Sequence, residues 1–205
     1  MPIMKYFRRK RVSDFSILYP DISTLEVLDV GGRPIIWEML YDEFGLKPKR
    51  LIILNTELEI ALSEKYETVV GDACDLNYED NSFDLVFSNS VIEHVGSMDD
   101  IERFAKETSR VGKEVYIQTP NRWFFIEPHI VTLFIHWLPR KLFRILGFLS
   151  ISRIFFLGER DAYYQVFDGI RLLNKDEVLS LYPDKHLSFE MVMGMVKSFI
   201  ISDRR

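Results

Sequence analysis

Apolar runs alternate with amphipathic segments over residues 25–120, and this pattern predicts β-strands that alternate with helices. Five runs have the length and apolar content of buried strands: LEVLDV (25–30), RLIILN (50–55), ETVVG (67–71), FDLVFS (83–88) and EVYIQT (114–119). Strands connected in this way form a parallel sheet with helices on both faces. We therefore expect an α/β domain with a doubly wound sheet.

Helix signals flank these strands. Pro34 suits the first turn of a helix, and Gly45 can end that helix. Ser97 is suited to cap a second helix, because acidic residues follow it in the first turn. Asn174 and Glu177 have the spacing of a capping box and predict a third helix.

Two strand-like runs near the C-terminus, KHLSFEMVM and VKSFIISD, are expected to pair in antiparallel fashion and complete the sheet. The prediction is a seven-stranded, mostly parallel sheet with an antiparallel strand pair over residues 187–202. A chain of 205 residues is most simply one domain. We therefore assign residues 1–205 to a single domain.

Basic and acidic residues are unevenly distributed along the chain. The net charge is −5, yet a basic N-terminal segment (1–20) and an aromatic, basic insert (122–160) leave the remainder strongly acidic. An acidic body argues against general nucleic-acid binding and leaves room for an anionic substrate or surface. The single cysteine, Cys74, excludes an intramolecular disulfide and a cysteine-based zinc cluster. We expect a cytoplasmic protein without a metal site.

The insert contains the most apolar stretch of the chain, but Pro139 and four basic residues interrupt it. It falls short of the ~20 uncharged residues of a membrane-spanning helix. Leucine and isoleucine recur there at helical spacing, at Leu138, Leu142, Ile145 and Leu149. Such a stripe is either core, a lid over an apolar acceptor, or an interfacial helix on anionic lipid, so peripheral membrane contact stays an alternative.

The first predicted strand ends in Asp29 and is followed by Gly31, Gly32 and the helix that Pro34 begins. A glycine turn before a helix offers unpaired N–H groups and the positive end of a helix dipole to an anionic group. The turn is not the GxGxxG of dinucleotide binding, and no acid stands about 20 residues later. This disfavours an NAD-dependent oxidoreductase.

The ends of the next strands also carry polar groups. Glu57 can accept both hydroxyls of a ribose, or it can simply begin a helix as an acidic residue of the first turn. Asp72 can accept from an adenine amino group, with the next backbone N–H on a ring nitrogen. His94 is either a general base or substrate contact, or a structural histidine that caps its turn.

Several motifs in order carry a resemblance: LDVGG, the acid after the second strand, VVGDACDL, NSFDLVFSNSVIEHV and QTPNRW. Together they resemble class I S-adenosylmethionine-dependent methyltransferases, above all small type-11 proteins of bacteria and archaea. The likeness spans about residues 25–125. It implies a Rossmann-like fold, S-adenosylmethionine as cofactor, and methyl transfer to a small or lipid-linked acceptor.

The family usually has GxGxG after its first Asp, whereas Arg33 and Ile35 stand at the second and third glycine positions in this chain. The alternative function is therefore a catalytically inactive cofactor-binding partner or regulatory protein.

The resemblance also implies a role for each site residue. The methionine end lies over the first loop, the ribose meets Asn55 or Glu57, the adenine meets Asp72, and the fourth strand ends at the sulfonium. The implied cofactor residues are Asp29, Gly31, Gly32, Asn55, Glu57, Asp72, Ala73, Ser88 and Asn89. His94 and Asn89 are the candidate catalytic residues. Acceptor contacts are expected at Arg122, Trp123 and His129, whose alternative role is loop packing.

Overall fold

The computed structural model describes residues 2–57, 65–127, 132–133, 137, 142 and 169–205. Seven strands form the main sheet: β1 (Glu26–Val30), β2 (Arg50–Asn55), β3 (Glu67–Val70), β4 (Phe83–Asn89), β5 (Gly112–Pro120), β8 (His186–Val192) and β9 (Met195–Ser202). Two short strands, β6 (Ile126–Glu127) and β7 (Thr132–Leu133), pair separately. The helices are α1 (Pro2–Leu18), α2 (Ile35–Phe44), α3 (Met98–Val111) and α4 (Lys175–Leu181).

The strand order of the main sheet is β3-β2-β1-β4-β5-β9-β8. The first five strands are parallel, whereas β9 is antiparallel to both β5 and β8. The predicted fold class is confirmed, and β2 has the predicted bounds. Because the chain reverses from β2 and β3 on one side of β1 to β4 and β5 on the other, a crevice opens at the carboxyl ends of β1 and β4.

Helices cover both faces of the sheet. On one face, α1 and α2 bury a cluster that includes Phe15, Trp37 and Leu40 against Phe87 and Tyr116. On the other face, α3 and α4 pack their apolar residues on the same strands. The apolar runs of the central strands are buried on both sides for this reason, as expected of a parallel sheet.

The sequence pattern predicts no helix in the basic N-terminal segment, but the structure has helix α1 over most of it. Val12, Phe15 and Tyr19 recur at helical spacing and are all buried on the sheet. The charged residues between them obscure this stripe in the sequence. Segment 1–20 is therefore a structural layer of the domain as well as a basic one.

The residues predicted to cap the helices lie at the observed helix ends. Ser97 and Asp100 form a capping box at the start of α3, and Asn174 and Glu177 form one at α4. Gly45 ends α2 with φ +66°, in the left-handed region that glycine adopts without strain. These local predictions are confirmed.

Most of the insert lies outside the described residues, including Leu138, Ile145 and Leu149 of the predicted stripe. Leu142 is described and is exposed. Within the described ranges, no helix is both long enough and apolar enough to cross a membrane.

Candidate active site

A cavity of about 1160 Å³ opens at the carboxyl ends of the parallel strands. Ligand sites usually enclose about 300–1,000 Å³, so this cavity is larger than a typical site for one small molecule. We call its wall at Gly31, Asn55, Glu57, Asp72 and Ala73 the loop side. The opposite wall, which we call the helix side, consists of Phe7, Arg8, Arg11, Phe124, Phe125, Lys197 and Ser198.

The glycine turn on the loop side admits no side chain. Gly31 has φ +72°, and a Cβ added there would lie 2.4 Å from a methyl carbon of Val91. A Cβ on Gly32 would lie 1.7 Å from the carboxylate of Asp29. Asn55 donates from Nδ2 to the Gly32 carbonyl at 2.9 Å and holds the turn. Main chain therefore forms this wall, and a ligand can approach the backbone closely.

Asp29 lies beneath the turn and does not line the cavity. Its Oδ2 accepts from Trp37 Nε1 at 2.7 Å, while no described residue bonds to its Oδ1. Burial raises the pKa of this carboxyl to about 7, against the opposing effect of the Trp37 hydrogen bond. Asp29 thus supports Gly32 from below.

The predicted residues at the ends of β2 and β3 come together on the cavity wall. Glu57 and Asp72 are both exposed there, and the Gly71 amide donates to the Asn55 carbonyl at 2.9 Å, which joins the two strand ends. Asp72 accepts from the Cys74 amide at Oδ1, at 2.8 Å. This bond orients the carboxylate and leaves Oδ2 for a ligand.

Of the two polar residues at the end of β4, only one lines the cavity. Ser88 is fully buried and donates to the Val30 carbonyl at 2.9 Å, so it does not line the cavity. Asn89 does line it, and its Oδ1 accepts from Arg11 Nη1 at 2.6 Å. Ser90, also on the wall, has φ +56°, a conformation that costs a non-glycine residue about 1–3 kcal/mol and that clusters at functional sites.

Glu93 and His94 point to different places. Glu93 is buried and accepts from Thr119 Oγ1 at 3.1 Å, whereas His94 is exposed on the cavity wall. The short helix Ile92–His94 places them in this way. The pair therefore combines a buried structural acid with a titratable group that a ligand can reach.

Two of the three predicted acceptor residues do not line this cavity. Arg122 and Trp123 are exposed and stack on each other at 5.4 Å, and neither lines the cavity. His129 lies outside the described residues. Phe124 and Phe125 line the cavity instead.

The charged residues of the helix side are absent from the sequence-based predictions. Glu190 Oε2 accepts from Arg11 Nη2 at 3.0 Å, from Lys197 Nζ at 2.7 Å and from Ser198 Oγ at 3.0 Å. The apolar stripe of α1 could have revealed the helix, and with it the position of Arg11. No local signal pairs Glu190 with Lys197, because the register of β8 on β9 shifts at a bulge between Glu190 and Met191.

Comparison with known sequences fits this geometry. The family model described as "Methyltransferase domain" matches residues 47–115, which include β2, β3, β4 and α3. The predicted resemblance is confirmed. Norajmaline N-methyltransferase from Rauvolfia serpentina, a methyltransferase relative, is 36% identical over 108 residues, which cover 47% of this chain and 36% of that protein. The chain spans about a third of that relative's length.

Solved structures share the methyltransferase fold at low sequence identity. An S-adenosylmethionine-dependent methyltransferase from Mesorhizobium loti is 12% identical with a TM-score of 0.58, over 94% of this chain and 96% of that one. Magnesium protoporphyrin IX methyltransferase from Synechocystis PCC 6803, solved with bound SAH, is 11% identical with a TM-score of 0.55, over 98% and 84%. These likenesses support the fold class described above.

Proposed function

We propose that this chain transfers a methyl group from S-adenosylmethionine to a small or lipid-linked acceptor. The observation that carries the proposal is that the glycine turn after β1 and the polar ends of β2, β3 and β4 all open into one cavity. The match of residues 47–115 to the methyltransferase domain supports it.

The residues of the loop side fit the parts of this cofactor. The N-terminus of α2, which follows the turn at Gly31, suits a carboxylate, because the N–H groups in the first turn of a helix carry positive partial charge. Glu57 suits the ribose hydroxyls because a carboxylate has several acceptor sites. Asp72 and the Ala73 amide suit the amino group and a ring nitrogen of adenine.

The departure from GxGxG does not block this arrangement. Arg33 lines the cavity beside the turn, so a cation stands where the family usually has a glycine. A guanidinium there complements the carboxylate of the methionine end. Asp29 acts indirectly, because its contact with Gly32 and its bond to Trp37 hold the turn in place.

Asn89 marks the boundary between the two sides of the cavity, because β4 lies between β1 and β5 in the sheet. When bound, S-adenosylmethionine supplies an electrophilic methyl group on a positively charged sulfur. The protein's main task is then to hold the acceptor in line, which can supply an effective molarity of ~10⁵ M or more. We assign to His94 the contact with the acceptor, or the removal of its proton, because an imidazole titrates near neutral pH.

Calorimetric titration with S-adenosylhomocysteine tests the proposal. Asp72→Ala should raise the dissociation constant by about ten- to a hundredfold, because a hydrogen bond to a charged group contributes about 1.5–3 kcal/mol. Asp75→Ala is the matched control: its carboxylate is three residues away and does not line the cavity, so its affinity should equal that of the parent. Absence of binding heat with both S-adenosylmethionine and S-adenosylhomocysteine would contradict the proposal.

A further inference from the structure

The helix side of the cavity carries an excess of positive charge. Arg11 and Lys197 share one carboxylate, that of Glu190, which is 7% exposed. Burial opposes the ionisation of Glu190, but the two cations lower its pKa, so it is ionised at neutral pH. Two cations and one anion leave one unit of positive charge in a place with little water.

Arg8 adds to this charge. It is half-buried on the same wall and forms no ion pair or hydrogen bond with the described residues. It lies one helical turn before Arg11 on α1, which puts both guanidinium groups on the face of the helix that meets the cavity.

Among the described residues, the acids of the loop side form no ion pair with these cations. Asp72 follows β3 and Lys197 lies in β9, and these strands are five inter-strand spacings apart in the sheet. Five spacings amount to about 24 Å. At that separation the attraction between Asp72 and Lys197 is much weaker than that of the ion pair that Lys197 forms with Glu190 at 2.7 Å.

The rest of the helix side is apolar. Phe7, Phe124 and Phe125 line the cavity there, and Lys197 Nζ lies 4.4 Å from the centre of the Phe7 ring. Aromatic rings with a cation beside them suit a ligand that has an apolar body and a charged end.

We propose that the helix side binds the methyl acceptor through an anionic group, a carboxylate or a phosphate, held by Arg11, Lys197 and Arg8. The inference rests on the proposed function and specifies the chemical class of its acceptor. Arg11 connects this anion site to the reaction centre, because the same guanidinium bonds to Asn89 at the boundary of the two sides.

Two small anions serve as probes: sodium benzoate for a carboxylate on an apolar body, and inorganic phosphate for a phosphate. Each is titrated at constant ionic strength into the protein saturated with S-adenosylhomocysteine, and binding is followed by NMR chemical shifts. We expect at least one probe to bind with a millimolar dissociation constant. Whichever binds identifies the anionic group.

Three variants separate an anion site from a structural ion pair. Lys197→Met should raise the dissociation constant of the probe at least fivefold. Glu190→Gln should lower it at least threefold, because this substitution removes the competing negative charge. Lys10→Met is the matched control: Lys10 pairs with Asp14 on the exposed face of the same helix and does not line the cavity. It should leave binding unchanged.

Two results would overturn the inference: neither probe binds, or Glu190→Gln raises the dissociation constant of the probe. Calorimetry with S-adenosylhomocysteine on the same samples keeps the two proposals apart. If S-adenosylhomocysteine binds and neither anion does, only the anion site is wrong; if S-adenosylhomocysteine itself fails to bind, the proposed function is wrong.

Discussion

The loop side and the helix side of the cavity are formed by different kinds of structure. The loop side uses main chain and a few acids, and all its residues lie in the segment from Gly31 to Ala73. The helix side uses side chains from α1, from residues 124–125 and from β9, which are far apart in the chain. The first construction suits a ligand that never changes, because it consists of the turns that directly follow β1, β2 and β3. The second can be altered by substitution while the sheet is kept, so it suits the ligand that differs between enzymes of one fold.

The largest expected effect tests whether α1 is an integral layer of the domain. Phe15 is 1% exposed and its ring centre lies 6.0 Å from that of Trp37, 5.2 Å from Phe87 and 5.0 Å from Tyr116. Phe15→Ala should lower the free energy of unfolding by about 3–5 kcal/mol, measured by denaturant titration. Ile17→Ala, on the exposed side of α1 (75% exposed), should change it by less than about 0.5 kcal/mol. Equal losses in the two variants would show that α1 does not pack as described.

The next effect tests the loop side. Gly32→Ala places a methyl group 1.7 Å from Asp29 Oδ2, so the turn or the buried carboxylate must move. We expect the dissociation constant of S-adenosylhomocysteine to rise at least a hundredfold by calorimetry.

Gly45→Ala is the control for that substitution. Gly45 has φ +66°, whereas Gly32 lies outside the positive-φ region, and an added Cβ at Gly45 meets no atom within 4 Å. It should cost about 1–2 kcal/mol of stability and leave the affinity unchanged. If Gly32→Ala binds as tightly as the parent, the turn is not the binding wall.

Asp29 predicts a pH dependence of stability. Burial raises the pKa of its carboxyl in the folded protein to about 7, above the ordinary 3.8 of the unfolded chain. Between pH 4 and pH 7 the folded state therefore keeps a proton that the unfolded state has lost, and the contribution of Asp29 to stability falls as the pH rises through this window. The slope is at most about 1.4 kcal/mol per pH unit.

Asp29→Asn measures this contribution, because it removes the titration and retains the shape of the side chain. Denaturant titrations at several pH values should show the variant gaining stability relative to the parent from pH 4 to pH 7, with no further gain above that. A difference that stays constant from pH 4 upward would mean that Asp29 titrates like an ordinary surface acid.

The smallest effect concerns the surface of α1. Arg9 and Glu43 form an ion pair between α1 and α2, with the Arg9 side chain 67% exposed. Glu43→Ala should change the free energy of unfolding by less than about 1 kcal/mol, since exposed pairs contribute little. A loss as large as that of Phe15→Ala would mean that charge, and not the buried aromatic cluster, docks α1 on the domain.

Sequence pattern predicted the parts of the molecule that depend on neighbouring residues. The run RLIILN marks β2 because both of its faces are buried, and Ser97 with Asp100 marks the start of α3 because a cap needs only one turn of chain. Gly31 and Gly32 were found for the same reason: positive φ favours glycine at the first position, and the Asp29 carboxylate, three residues away in the chain, leaves no room for a side chain at the second.

The parts that depend on distant contacts could not be predicted. Ser88 was expected to face the ligand, yet its hydroxyl bonds to the neighbouring strand, since strand alternation does not tell which residue is the last one covered. The ion pairs of Glu190 require α1 to pack on the sheet with Arg11 beside β8, and β8 to shift its register on β9, and no short sequence pattern encodes either arrangement.

A crystal structure of the protein with S-adenosylhomocysteine decides whether the loop side holds the cofactor and the helix side the acceptor. We expect adenine within hydrogen-bond distance of Asp72 and the Ala73 amide, ribose at Glu57 and the amino-acid end over Gly31. The volume between Arg11 and Lys197 should stay free for a second ligand. Density for S-adenosylhomocysteine on the helix side, or outside the cavity altogether, would contradict this division of the cavity.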